Sequence, residues 1–104
     1  MAFDEKNLDP RQNGSNRKIT RELANDGTLK HILIESSMGI RKNTFDADGH
    51  LAERYVQYAN GHWKLTMYKN GIKFVCREYD GVSVSTLVFD RRGRLAAASE
   101  DAVE

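Results

Sequence analysis

Apolar and polar residues alternate along the middle of the chain with a period of two, the spacing of a half-buried β-strand. The run His62-Trp63-Lys64-Leu65-Thr66-Met67-Tyr68 shows it best, with apolar side chains at 63, 65 and 67. The alternation breaks at fixed intervals. Gly27, Gly49, Gly71 and Gly93 stand 22 residues apart, and Leu23, Phe45, Met67 and Phe89 each precede one of them by four positions. A constant period marks a repeat. An Asx-Gly or x-x-Gly string between alternating runs marks a hairpin, because glycine reaches positive φ without a steric penalty. Four β-hairpins are therefore predicted. Turns at Ser37-Met38-Gly39, Ala59-Asn60-Gly61 and Tyr79-Asp80-Gly81 link them. The fold class is all-β, an antiparallel meander of about eight strands in a curled or barrel-like sheet, since flat strands cannot each hide an apolar face alone.

Loop length sets the register of each hairpin. Three hairpins fit a three-residue loop with glycine in the left-handed, bulge-forming position, which pairs Leu23 with Leu29, Phe45 with Leu51 and Phe89 with Leu95. The third fits a two-residue Asn70-Gly71 turn that pairs Lys69 with Ile72. With no bulge, Met67 then faces Phe74 and Leu65 faces Cys76, and Trp63, Leu65, Met67, Ile72, Phe74 and Cys76 share an apolar face. Residues 19–24 also fit one turn of helix, but the 22-residue register aligns Leu23 with Phe45, Met67 and Phe89 and favours a strand.

Outside the repeats the pattern fades. Residues 1–17 are polar, hold the only proline, Pro10, and are expected to form a flexible arm. Residues 18–98 form the hairpin domain, and residues 99–104 an acidic tail expected to fray. The 104 residues correspond to one domain with a thin core. Sixteen basic and fifteen acidic side chains leave a formal charge of +1, so any charged site must arise from local clustering. Cys76 is the lone cysteine, which excludes an intrachain disulfide. No apolar run approaches the ~18 residues of a membrane-spanning helix. A cytoplasmic location without membrane contact is expected.

The back of the third hairpin holds the most suggestive chemistry. In the bulge-free register His62, Lys64, Thr66 and Tyr68 share a face with Lys73, Val75, Arg77 and Tyr79. Lys64 lies opposite Arg77, and like charges directly across a ladder repel unless an anion relieves them. Lys64, Tyr68, Lys73, Arg77 and Tyr79, with Tyr55 and Tyr58 as neighbours, are the candidate partner-binding residues. The competing reading is a solvated face on which Glu78 and Asp80 neutralise the bases. Arg91-Arg92-Gly93-Arg94 forms a second basic cluster at a turn tip.

Signs of catalysis or cofactor binding are weak. His31, His50 and His62 lack the close spacing of metal ligands, and Cys76 falls on the inferred apolar face, where a thiol is inert. Asp46-Ala47-Asp48-Gly49 has the look of a calcium-loop fragment, but Thr44 and Tyr55 stand where acidic ligands belong. No phosphate loop, nucleophile elbow or paired catalytic carboxylate emerges, so no enzyme activity, cofactor or metal is expected.

Phe45-Asp46-Ala47-Asp48-Gly49-His50-Leu51 and Phe89-Asp90-Arg91-Arg92-Gly93-Arg94-Leu95 resemble the aromatic-Asp-x-x-Gly-Arg-Leu core of YD (Rhs-type) repeats, and Glu78-Tyr79-Asp80-Gly81 echoes it. Two glycine turns per period, as in Tyr68-Lys69-Asn70-Gly71 followed by Tyr79-Asp80-Gly81, are equally similar to the MORN-variant repeats of bacterial antitoxin-like proteins. The match spans about residues 18–98 and is degenerate. Either resemblance implies stacked hairpins and a protein-binding or scaffolding role, with no catalytic residue to carry over. The expected function is binding of another protein, as an inhibitor, immunity or antitoxin-like factor. Nucleic-acid binding through the basic and aromatic face is one alternative, and self-assembly, such as a homodimer joined at a sheet edge, is another.

Overall fold

The computed structural model describes residues 17–103. Eight strands follow one another as β1 (Lys18–Leu23), β2 (Leu29–Ser36), β3 (Gly39–Phe45), β4 (Leu51–Tyr58), β5 (Trp63–Lys69), β6 (Ile72–Tyr79), β7 (Ser83–Phe89) and β8 (Leu95–Ala102). Each pairs antiparallel with its neighbours in chain order, giving an uninterrupted meander. The sheet is open: β1 and β8 do not pair with each other. Of the arm expected at residues 1–17, all but Arg17 lies outside the described residues.

The loops explain the meander. Ala24, Asp46 and Asp90 each donate an amide hydrogen bond to the carbonyl four residues on, and each accepts one from the glycine three residues on. These are the three-residue loops of hairpins one, two and four, and Leu23, Phe45 and Phe89 pair with Leu29, Leu51 and Leu95 across an adjacent bulge, as the sequence predicts. The third hairpin turns through Asn70 (φ 54°) and Gly71 (φ 79°), two successive left-handed residues that match the right-handed twist of paired strands.

Beyond that turn the register departs from expectation. Lys69 does pair with Ile72 and Tyr68 with Lys73, but a bulge follows, and Met67 lies opposite Val75 rather than Phe74. Leu65 accordingly faces Arg77, Thr66 faces Cys76, and Lys64 faces Glu78. The cause is a compensation between loops. The connection from β4 to β5 closes with the Tyr58 amide bonded to the His62 carbonyl, a three-residue loop, whereas Ser36 pairs with Gly39 across only two residues. This displaces β5 by one position from the 22-residue frame. The shorter Asn70-Gly71 turn, with its bulge retained, returns β6 to the frame.

The C-terminal end also differs. Ser99, Glu100, Asp101 and Ala102, expected to fray, continue β8 alongside β7, and the Ser83 hydroxyl donates to the Glu100 carboxylate.

The sheet is a single layer. Its radius of gyration is 16.7 Å, against roughly 13 Å for a compact domain of this length. Cys76 is the one buried apolar residue among those described, beside buried Thr66 and Ser83. Seven ladders and their cross-strand side-chain pairs therefore hold the fold together, each pair worth about 0.2–1 kcal/mol.

Candidate functional site

Strand alternation and the observed registers sort the side chains of β3 to β6 onto two faces. One carries Lys42, Tyr55, Gln57, Trp63, Leu65, Met67, Val75, Arg77 and Tyr79. The other carries Arg41, Arg54, Val56, Tyr58, Lys64, Thr66, Tyr68, Lys73 and Cys76, which together line a hollow of about 410 Å³. A second hollow of about 390 Å³ adjoins it, sharing Arg41, Val56 and Tyr58 and adding Ile34 and Met38.

The candidate residues are thus divided. Tyr58, Lys64, Tyr68 and Lys73 meet on the hollowed face, while Tyr55, Arg77 and Tyr79 lie on the opposite one. The bulge in β6 moves Arg77 and Tyr79, since one extra residue exchanges the faces of all that follows it. Tyr55 and Tyr58, three positions apart on β4, stand on opposite faces by alternation alone. The expected repulsion between Lys64 and Arg77 is absent, because Lys64 stands across from Glu78.

The aromatic face is a continuous row. The Tyr55 and Trp63 rings are 6.4 Å apart at 34°, and Trp63 and Tyr79 are 6.2 Å apart at 32°, within the range of favourable ring pairs. Three polar side chains of this face are engaged. The Tyr55 hydroxyl donates to Gln57 Oε1 at 2.9 Å, Arg77 Nε to Thr86 Oγ1 at 3.3 Å, and the Tyr79 hydroxyl to the Gly81 carbonyl at 3.3 Å.

The hollowed face has a different electrostatic character. Arg41, Arg54, Lys64 and Lys73 bring four cations from four successive strands, and Glu78 is the acid facing them from these strands. Arg54 Nε donates to Asn43 Oδ1 at 3.2 Å, and Lys73 Nζ sits 4.7 Å from the centre of the Phe89 ring. None of the four lies within ion-pair distance of a carboxylate among the described residues, whose ion pairs are those of Lys30 and His31 with Glu22, His50 with Asp46, and Arg94 with Asp90. At the floor, Thr66 Oγ1 and Cys76 Sγ are 3.8 Å apart and buried.

Arg41 and Arg54 were not among the sequence candidates, although the signal was present. The three-residue loop that pairs Phe45 with Leu51 also places Asn43 opposite Arg54 and Arg41 opposite Val56. Extending the hairpin arithmetic from β3–β4 across to β5 locates both beside Lys64.

The remaining titratable groups serve the turns. Asp80 is held below its ordinary value by hydrogen bonds from the Ser83 and Val82 amides, and Asp90 by the Arg94 amide and then that of Arg92. Asp26 is lowered by the Thr28 hydroxyl and amide. The three histidines stay apart. His31 Nδ1 is 3.1 Å from Glu22, His50 Nδ1 is 3.8 Å from Asp46, and the His62 ring meets Tyr79 edge-on at 6.0 Å. Asp46, Asp48 and His50 hold ligand atoms within 4.8 Å of one another. Asp46 Oδ1 accepts the Asp48 and His50 amides there, and Asp90 builds the same loop with Arg94 in place of the histidine, so loop closure accounts for the cluster. No helix among the described residues is long and apolar enough to cross a membrane.

No family model matches the chain, and no curated protein matches it.

Proposed function

We propose that this chain is a non-catalytic, cytoplasmic binding module whose hollowed face takes an acidic segment of another protein. The observation that carries the reading is the gathering of Arg41, Arg54, Lys64 and Lys73 on one face of four successive strands, in a chain whose formal charge is only +1. Cations held near one another without carboxylate partners repel, and an anionic partner relieves that repulsion. Ile34, Met38 and Val56 in the adjoining hollow supply apolar contact beside the charges, which suits an acidic segment carrying aliphatic or aromatic side chains. Tyrosine and arginine are enriched among residues that dominate binding energy. The resemblance to YD and MORN-variant repeats supports the same class of role, that of an inhibitor, immunity or antitoxin-like factor.

Nucleic acid is the second reading, favoured by Tyr58 and Tyr68 standing among the cations, since bases stack on aromatic rings while phosphates meet lysine and arginine. Nuclease separates the two and salt does not, because cations that hold an acidic segment lose affinity with ionic strength as phosphate contacts do.

The test is a capture from lysate of cells that express the chain, with and without nuclease. The tagged protein is compared with an Arg54→Glu/Lys64→Glu variant and an Arg77→Glu variant. A protein kept after nuclease, lost from the double variant and kept by Arg77→Glu supports the proposal. Retention only of nuclease-sensitive material overturns it in favour of nucleic acid. Equal retention by all three overturns the placement of the site.

A further inference from the structure

β1 and β8 each carry a single ladder among the described residues, so the outer edge of each presents backbone donors and acceptors without a strand beside them. The two edges differ in charge. β1 brings Lys18 and Arg21 against Glu22, whereas β8 carries Glu100 and Asp101 and no base. Charges that merely kept edges apart would serve best with the same sign on both; opposite signs attract.

The repeat also dictates how the two edges fit. His31 of β2 lies opposite Thr44 of β3, and two 22-residue periods later Val75 of β6 lies opposite Val88 of β7. Both connections are two-residue turns in one register. The same position on β8 is Ala97, and on β1 it is Glu22, each one period from an equivalent residue. Carrying the register onward places a β1 strand antiparallel to β8 with Ala97 opposite Glu22, Ser99 opposite Thr20 and Asp101 opposite Lys18. All six residues belong to the aromatic face, so both faces continue unbroken across the junction. On the hollowed face Glu100 falls diagonal to Arg21, within reach of so long a side chain.

We infer that copies of this chain add head to tail, β8 of one to β1 of the next, extending one sheet with the hollowed face repeated along it. The contact joins two different edges and is heterologous, so nothing in it stops growth at a dimer. This assembly does not depend on what binds the hollowed face.

Sedimentation velocity over a wide range of protein concentration, at low salt, tests it. The Val103 amide points inward to the Val82 carbonyl. Alternation along the strand then turns the amides of Ala98, Glu100 and Ala102 outward. Ala98→Pro removes an outward donor and leaves the β7–β8 ladder intact. The expected result is a wild-type mass that climbs past the dimer with concentration, and an Ala98→Pro variant that stays monomeric with an unchanged circular dichroism spectrum. Lys18→Asp and Asp101→Lys, both at exposed positions, should each weaken association by roughly fivefold, and the double variant should recover it, because the swapped charges again face each other. A wild-type protein that is monomeric throughout overturns the inference. So does a species that stops at the dimer and is indifferent to Asp101→Lys, which would join β1 to β1.

Discussion

The two faces of the central sheet are built from alternate residues of the same four strands, yet they differ in chemistry. On the aromatic face Tyr55, Trp63 and Tyr79 pack ring to ring, and the polar atoms of Tyr55, Arg77 and Tyr79 are hydrogen-bonded within the protein. On the hollowed face four cations converge, and Arg41 and Lys64 have no hydrogen-bond or ion-pair partner among the described residues. The difference teaches how a single-layer sheet divides its labour. Among the described residues no second layer packs on the sheet; one face adds a row of ring contacts, and the other, with Thr66 and Cys76 buried at its floor, also gathers cations that no carboxylate neutralises. Residues of the first face should matter for stability, and residues of the second for binding.

The sharpest way to break this division is at Gly39, where the backbone of β3 meets β4. A Cβ there would stand 2.0 Å from the Gln57 carbonyl oxygen, at a φ of +136° that side chains rarely adopt. Gly39→Ala is expected to destabilise the sheet by more than about 3 kcal/mol and to remove both functions together, seen as loss of the urea unfolding transition. Trp63→Ala should separate the faces. It removes the middle ring of the aromatic row and is expected to cost about 2 kcal/mol in urea denaturation, while the protein that remains folded keeps its affinity. Arg54→Glu/Lys64→Glu should do the reverse, lowering affinity for the partner by about tenfold or more. Its unfolding free energy should stay within about 0.5 kcal/mol of wild type. The smallest effect is acid sensitivity at the turns. Asp26, Asp80 and Asp90 have folded values below the ordinary 3.8. Their contribution is thus fully present above that value and is lost as pH falls through the lower folded one. Asp80→Asn and Asp90→Asn should flatten the loss of stability measured between neutral and strongly acidic pH.

Much of the fold was legible in the sequence because it rests on local chemistry. Glycine spacing, loop length and alternation place all eight strands, and the loops closed by Gly27, Gly49 and Gly93 set their pairings correctly. The site was legible only in part. Lys64, Tyr68, Lys73 and Tyr58 do converge, but Arg77, Tyr79 and Tyr55 stand on the other face. One residue accounts for Arg77 and Tyr79, while Tyr55 is parted from Tyr58 by alternation along β4. A bulge between the Tyr68–Lys73 and Met67–Val75 pairs has no sequence signature of its own, because Asn70-Gly71 closes the same turn with or without it, and a shift of one exchanges the faces. A comparison of loop lengths along the chain would have revealed it: the extra residue between β4 and β5 must be recovered before β6 can rejoin the 22-residue frame. The open form of the sheet was not legible, since alternation specifies two faces and is silent on whether the ends meet.

The division into faces rests on that bulge, and one measurement tests it directly. Thr66 lies opposite Cys76, with Oγ1 3.8 Å from Sγ, while Leu65 points to the other face. Under mild oxidation Thr66→Cys should form a disulfide with Cys76 within the monomer, read as the loss of both free thiols and a mass decrease of two hydrogens. Leu65→Cys should keep both thiols. A disulfide in Leu65→Cys, with Thr66→Cys left reduced, would restore the bulge-free register and contradict the account.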